Sequence, residues 1–115
     1  MKTEDILVHI LPKEFVEYFD LTSIEEGAEL LTISLDEKFV PPPEHSDKQL
    51  ESKGFLPPTN LNDFPIRDRR VILRIRRRKW IDKDTGKTYT RNWDLKAKGT
   101  NYTKEFASFL KGILR

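Results

Sequence analysis

Residues 63–93, DFPIRDRRVILRIRRRKWIDKDTGKTYTRNW, decide the reading of this chain. Val71, Leu73 and Ile75 alternate there with Ile72, Arg74 and Arg76, the period-two pattern of a strand with one buried face. Asp84-Thr85-Gly86-Lys87 follows, where glycine supplies the positive φ of a tight turn and aspartate caps its own backbone. Residues 88–95 are rich in threonine and aromatics, which suit a pleated surface. The stretch therefore predicts a β-hairpin, with residues 70–80 as one arm and 88–95 as the other. From Arg67 to Trp80 the cations are Arg67, Arg69, Arg70, Arg74, Arg76, Arg77, Arg78 and Lys79, against the single acid Asp68. Such a ribbon suits nucleic-acid phosphates.

Alternation along the first arm sends Arg74, Arg76, Arg78 and Trp80 to one face. The other face turns basic at Arg77 and Lys79, and Lys83, Lys87 and Arg91 extend the charged end. Arginine holds phosphate or guanine in a two-pronged grip, and a two-stranded ribbon fits a major groove. Trp80 is placed either to stack on an unpaired base or to cover the sheet edge. Cations on an exposed strand also deter edge-to-edge pairing. A single-signed array argues for binding instead, because surfaces built only for solubility mix their signs. All twelve of these residues, from Arg67 to Arg91, form the expected nucleic-acid-binding set. Charge density alone does not separate DNA from RNA.

Outward from the ribbon, residues 3–11 predict a short helix, with Ile6, Leu7, Ile10 and Leu11 on one stripe. Pro12 suits the first position of a second helix over residues 12–20, in which Phe15, Tyr18 and Phe19 recur at core spacing. Residues 29–39 alternate Leu31, Ile33 and Leu35 with Thr32, Ser34 and Asp36, a further strand. Pro41-Pro42-Pro43 ends it in an extended connector. Residues 44–60 read as a polar loop with one helical turn near 47–52, and residues 59–64 as a short strand. Lys96 to Thr100 is a basic turn. A last helix starts near Thr103, an expected N-cap, and carries Phe106, Phe109, Leu110, Ile113 and Leu114 on one stripe. The expected fold is α+β: an N-terminal helix or helix pair, a small mostly antiparallel sheet with a basic β-hairpin, and a C-terminal helix. At 115 residues the chain is expected to form one domain (an acidic helix-strand segment over 1–40, a Pro-rich connector over 41–60, and a basic segment over 61–115).

The formal net charge of +2 averages two unlike halves. Residues 1–60 carry 5 basic and 13 acidic side chains, a net of −8, whereas residues 61–115 carry 16 and 6, a net of +10. A basic region beside an acidic one calls for an anionic partner. The absence of cysteine rules out disulfides and thiolate metal sites. No apolar run approaches the ~20 residues of a membrane span, and Glu4 and Asp5 follow Lys2 in the segment where a signal peptide is basic. A cytoplasmic location, no membrane and no cofactor are expected. His9 and His45 are far apart in the chain, no glycine-rich phosphate loop is present, and nothing marks a nucleophile with its base. The acids of the basic half (Asp63, Asp68, Asp82, Asp84, Asp94 and Glu105) read mostly as turn and cap residues. An enzyme is not expected.

The strings DFPIRDRRVILRIRRRKW and TRNWDL, with PKEFVEYFDL, ISLDEKFVPPP and SKGF before them, resemble the N-terminal region of insertion-sequence transposases in which that region is a separate short protein. The likeness runs over nearly the whole chain and is most specific in the first string. It implies DNA binding at the element's terminal inverted repeats, alongside a separately encoded DDE-type catalytic subunit. Larger relatives carry cysteine pairs of a zinc finger after the first strand and around the hairpin. Here those places hold Pro41-Pro42-Pro43-Glu44-His45 and residues 81–86, so the resemblance carries over no metal and no active site. Two alternatives stay open: a module docking on an acidic protein, with the C-terminal apolar stripe as anchor, and an RNA-binding domain.

Overall fold

A computed structural model describes residues 11–91 and 100–113. Within them the chain runs α1 (Lys13–Tyr18), β1 (Phe19–Glu26), β2 (Leu30–Glu37), a 3-10 turn (Pro43–His45), β3 (Leu50–Phe55), β4 (Thr59–Ile66), β5 (Arg69–Arg76), β6 (Arg78–Asp82), β7 (Thr88–Tyr89) and α2 (Lys104–Ile113). The strands form a four-stranded sheet in the order β1-β2-β5-β4 and a three-stranded sheet in the order β3-β6-β7. Every pairing is antiparallel except β2 with β5. This is the expected α+β class. The predicted helix over residues 3–11 lies, save Leu11, outside the described residues, as do His9 and residues 92–99. None of the described helices is long and apolar enough to cross a membrane.

The core follows from alternation on β2 and β5. Leu31 faces Val71, Ile33 faces Leu73 and Leu35 faces Ile75 across the parallel pair, and Leu61 of β4 meets Leu73 from the other side. All seven are buried, with Phe15 and Phe19 packed on the same face at 5.8 Å between ring centroids. A one-residue slip of β5 would carry its whole apolar set to the outer face, so this register is strongly fixed.

The expected hairpin does not form as drawn. β5 returns along β4, through the two-residue loop Arg67-Asp68, and the strand at 88–89 pairs with β6 alone. Apolar rows decide this: β2 and β4 offer β5 leucines and isoleucines to bury, whereas β7 offers only Thr88 and Tyr89. Loop closure grows slowly with length, so the distant partner β2 is not penalised enough to lose. The turn at 84–87 does form, with Gly86 at φ 77 and the Asp84 N–H donating to Asp82 Oδ1.

Three further expectations change. The second helix stops at Tyr18, and residues 19–26 run as β1; Leu21 and Ile24 pack against the core from there. The polar segment 50–55 is strand β3, not loop or helix, with a bulge at Gly54 (φ 87) that hides its alternation. The helical turn expected near 47–52 is absent there; a 3-10 turn lies earlier, at Pro43–His45, and β3 begins at Leu50. The C-terminal helix is present, and its root is tied to β4: the buried Thr103 hydroxyl donates to Asp63 Oδ1 at 2.7 Å. Phe64 stacks against Phe106 and Phe109 at 5.2 and 5.4 Å. Leu114 lies outside the described residues.

Candidate nucleic-acid interface

The predicted cations divide among three places. At the tip of the β4–β5 hairpin stand Arg67, Arg69 and Arg70, of which Arg67 and Arg70 are exposed. Arg67 has φ 57, the left-handed region that favours glycine. An arginine there extends a guanidinium from the end of the hairpin at a small conformational cost.

The second place is the outer face of the four-stranded sheet. Register sets Ser34, Arg74 and Asn60 side by side, and beside them Asp36 opposite Arg76 and Thr32 opposite Ile72. Arg74 is exposed and forms no ion pair among the described residues. Arg76 donates from Nε and Nη2 to the two carboxylate oxygens of Asp36, at 2.7 and 2.5 Å. That hydrogen bonding raises the Arg76 pKa, with burial opposing it in part. Glu25 shares the hollow around these arginines with Thr22, Ser23 and Ser34. This face is mixed in sign, so it is a weak site for phosphate.

The third place is the second sheet. Arg77 interrupts the β5–β6 run, and alternation restarts beyond it. Arg78 turns inward: its Nε donates to the Glu37 carbonyl (2.8 Å), its Nη1 to Ser52 Oγ (3.0 Å), and its backbone N–H to Glu37 Oε1 (3.1 Å). Its guanidinium lies over Phe39 and Phe55, at 5.2 and 4.7 Å, and Arg76 lies over the same Phe55 at 4.3 Å. The common outward face expected for Arg74, Arg76, Arg78 and Trp80 is thus corrected. One of the arginines is exposed, one is ion-paired and one is clamped between rings.

Trp80 is corrected as well. It is 0% exposed, set between Ser52 and Tyr89 with Phe39 edge-on at 5.2 Å. It anchors the second sheet, and no base reaches it. Since Trp80 and Asp82 point inward, Lys79, Ile81 and Lys83 occupy the opposite, accessible face. Lys53 of β3 joins them there, with Glu51 as the neighbouring acid, 4.0 Å from Lys83. Lys87 is exposed at the turn, and Arg91 lies over Tyr18 at 4.7 Å. Lys53, Phe39 and Phe55 are participants that sequence reasoning missed. The signal available was a strand in residues 50–55, which Gly54 obscured.

His45 stacks on Tyr89 at 4.5 Å. Among the described residues no group of three or more His, Asp or Glu side chains stands where it would hold a metal. In comparison with known proteins, no family model matches this chain, and no curated protein or solved structure matches it significantly.

Proposed function

We propose that this chain binds DNA as the N-terminal component of an insertion-sequence transposase, recognising the element's ends together with a separate catalytic subunit. The observation that carries the DNA-binding reading is the sorting of cations. Arg76 and Arg78 are used internally, while Arg67, Arg69 and Arg70 at one hairpin tip, and Arg77, Lys79 and Lys53 on the second sheet, form no ion pair among the described residues. Accessible cations that form no ion pair favour a polyanion, with Glu26 and Asp68 as the acids that share the hollow at the tip. The transposase assignment rests on the sequence resemblance alone.

Here the β4–β5 hairpin is the basic ribbon offered to a groove. Arg67, Arg69 and Arg70 contact phosphates or base edges, and Lys53, Arg77, Lys79, Lys83 and Lys87 contact the backbone. The burial of Trp80 removes the reason for preferring RNA. A protein-docking reading keeps one support: Phe109 and Ile113 of α2 are 50% and 60% exposed.

The test is a salt titration of duplex binding for the parent, for Arg67/Arg70→Ala and for Lys53/Lys79→Ala. Each removed phosphate contact should lower the log–log slope by about 1. The reading falls if the parent binds without salt dependence, or if both variants match it. Capture of an acidic protein after nuclease treatment, lost on Phe109→Ser, would then favour docking.

A further inference from the structure

Phe39 is 64% exposed, yet it is held in place rather than free to turn away. The Val40 N–H donates to the Lys38 carbonyl at 2.8 Å, closing a tight turn around Phe39, and Pro41 stiffens the chain beyond it. Arg78 lies over the ring at 5.2 Å and Trp80 meets it at 62°. Arg78 is in turn fixed by Glu37, Ser52 and Phe55. A large apolar ring left in water, on a rigid seat, suits a flat ligand. The surroundings favour one that carries negative charge: Arg78 lies against the ring and Lys38 precedes it in the chain. One ring and Val40 make too small a patch for a stable protein interface.

We propose that Phe39 is a stacking platform for an unpaired nucleobase, so that the ligand is a duplex with a single-stranded or distorted end rather than uninterrupted double helix. This deepens the DNA-binding reading and rests on it. Stacking on an aromatic side chain is tolerant of base identity, and Arg78 over the ring favours a ligand whose flanking phosphates carry negative charge. The base-stacking role that the sequence offered to Trp80 falls to the residue that packs on Trp80 from outside.

The experiment measures, by fluorescence anisotropy at fixed salt, three probes of one sequence: a blunt duplex, the same duplex with a short thymine overhang, and one with an abasic overhang of equal length. The abasic probe has the same phosphates and lacks only the bases. The parent should prefer the thymine overhang to the abasic one about tenfold, the scale of one stacked base. Phe39→Ala and Phe39→Leu should lose that preference and keep blunt-duplex affinity, and Phe39→Trp should restore it. Unfolding temperatures of the variants verify that the second sheet stays intact. A parent that binds all three probes alike, or variants that keep the preference, overturns the stacking site while leaving duplex binding standing. A Phe39→Ala variant that weakens all probes equally also overturns it, since the ring then serves the fold. If the parent binds none of the probes, the DNA-binding reading itself is lost.

Discussion

Two arginines on one run of chain, Arg67 and Arg76, show how the same side chain is used in opposite ways. Arg67 occupies the loop position where positive φ usually selects glycine. Arg67→Gly should therefore leave thermal stability unchanged or raise it by about 1 kcal/mol, since glycine reaches that region without steric cost. In the same variant the salt slope of duplex binding should fall by about 1. Loss of stability, with binding unaltered, would show that the arginine belongs to the fold. Arg76 is the reverse case. Its pair with Asp36 is bidentate, but the arginine side chain is 43% exposed, so a double-mutant cycle should give a coupling of about 1 kcal/mol. Hydrogen bonding to Asp36 raises the Arg76 pKa. A base raised on folding gives stability that is complete below its unfolded pKa and is lost only as pH climbs through the folded value. For a guanidinium that window is strongly alkaline. The difference in melting temperature between parent and Arg76→Ala should thus be flat across the neutral and mildly alkaline range, and a slope there would contradict the assignment.

At the scale of elements, the joint between the sheets is the informative feature. β5 and β6 are one run interrupted at Arg77, and the ring of Phe55 lies between the guanidinium groups of Arg76 and Arg78 at their junction. Phe55→Ala should speed amide exchange in β3, β6 and β7 while leaving β2 and β5 protected, because the first sheet has its own core. Uniform loosening of both sheets would mean that the joint belongs to a single cooperative core. This joint was the least legible region of the chain. Strand β5 could be read from Val71, Leu73 and Ile75, and β2 from Leu31, Ile33 and Leu35, because burial imposes strict alternation. Their pairing could not, since the strongest turn signal nearby, Asp84 to Lys87, pointed to a partner with no apolar row. The Arg67-Asp68 loop that actually closes the hairpin contains no glycine to announce it. β3 escaped notice because LESKGF has little apolar content and its bulge breaks the period. Of the candidate site, cation identities could be read from sequence. Which of them face acids is set by cross-strand register, and that depends on the pairing.

For the whole molecule, the division between an acidic and a basic half acquires a spatial meaning. Four acids of the first half, Asp20, Glu25, Glu26 and Glu29, lie on β1 and the loop after it, and all four are exposed. β1 is an edge strand, bonded to β2 on one side only. Charge along an open edge discourages a second chain from pairing there. The same charges repel a polyanion, and Glu26 does so beside Arg67 and Arg69 at the hairpin tip. Converting Asp20, Glu25 and Glu26 to Asn, Gln and Gln should raise the association rate with duplex several-fold at low salt, and the gain should vanish as the Debye length shrinks to about 3 Å near 1 M. Dissociation should slow as well, because Glu26 lines the same hollow as Arg67 and Arg69 at the hairpin tip. The variant should also self-associate more readily, visible as a concentration-dependent sedimentation coefficient. An unchanged association rate at low salt would mean that DNA does not approach by the hairpin tip beside Glu26, and the acidic edge would then serve only to keep copies of the chain apart.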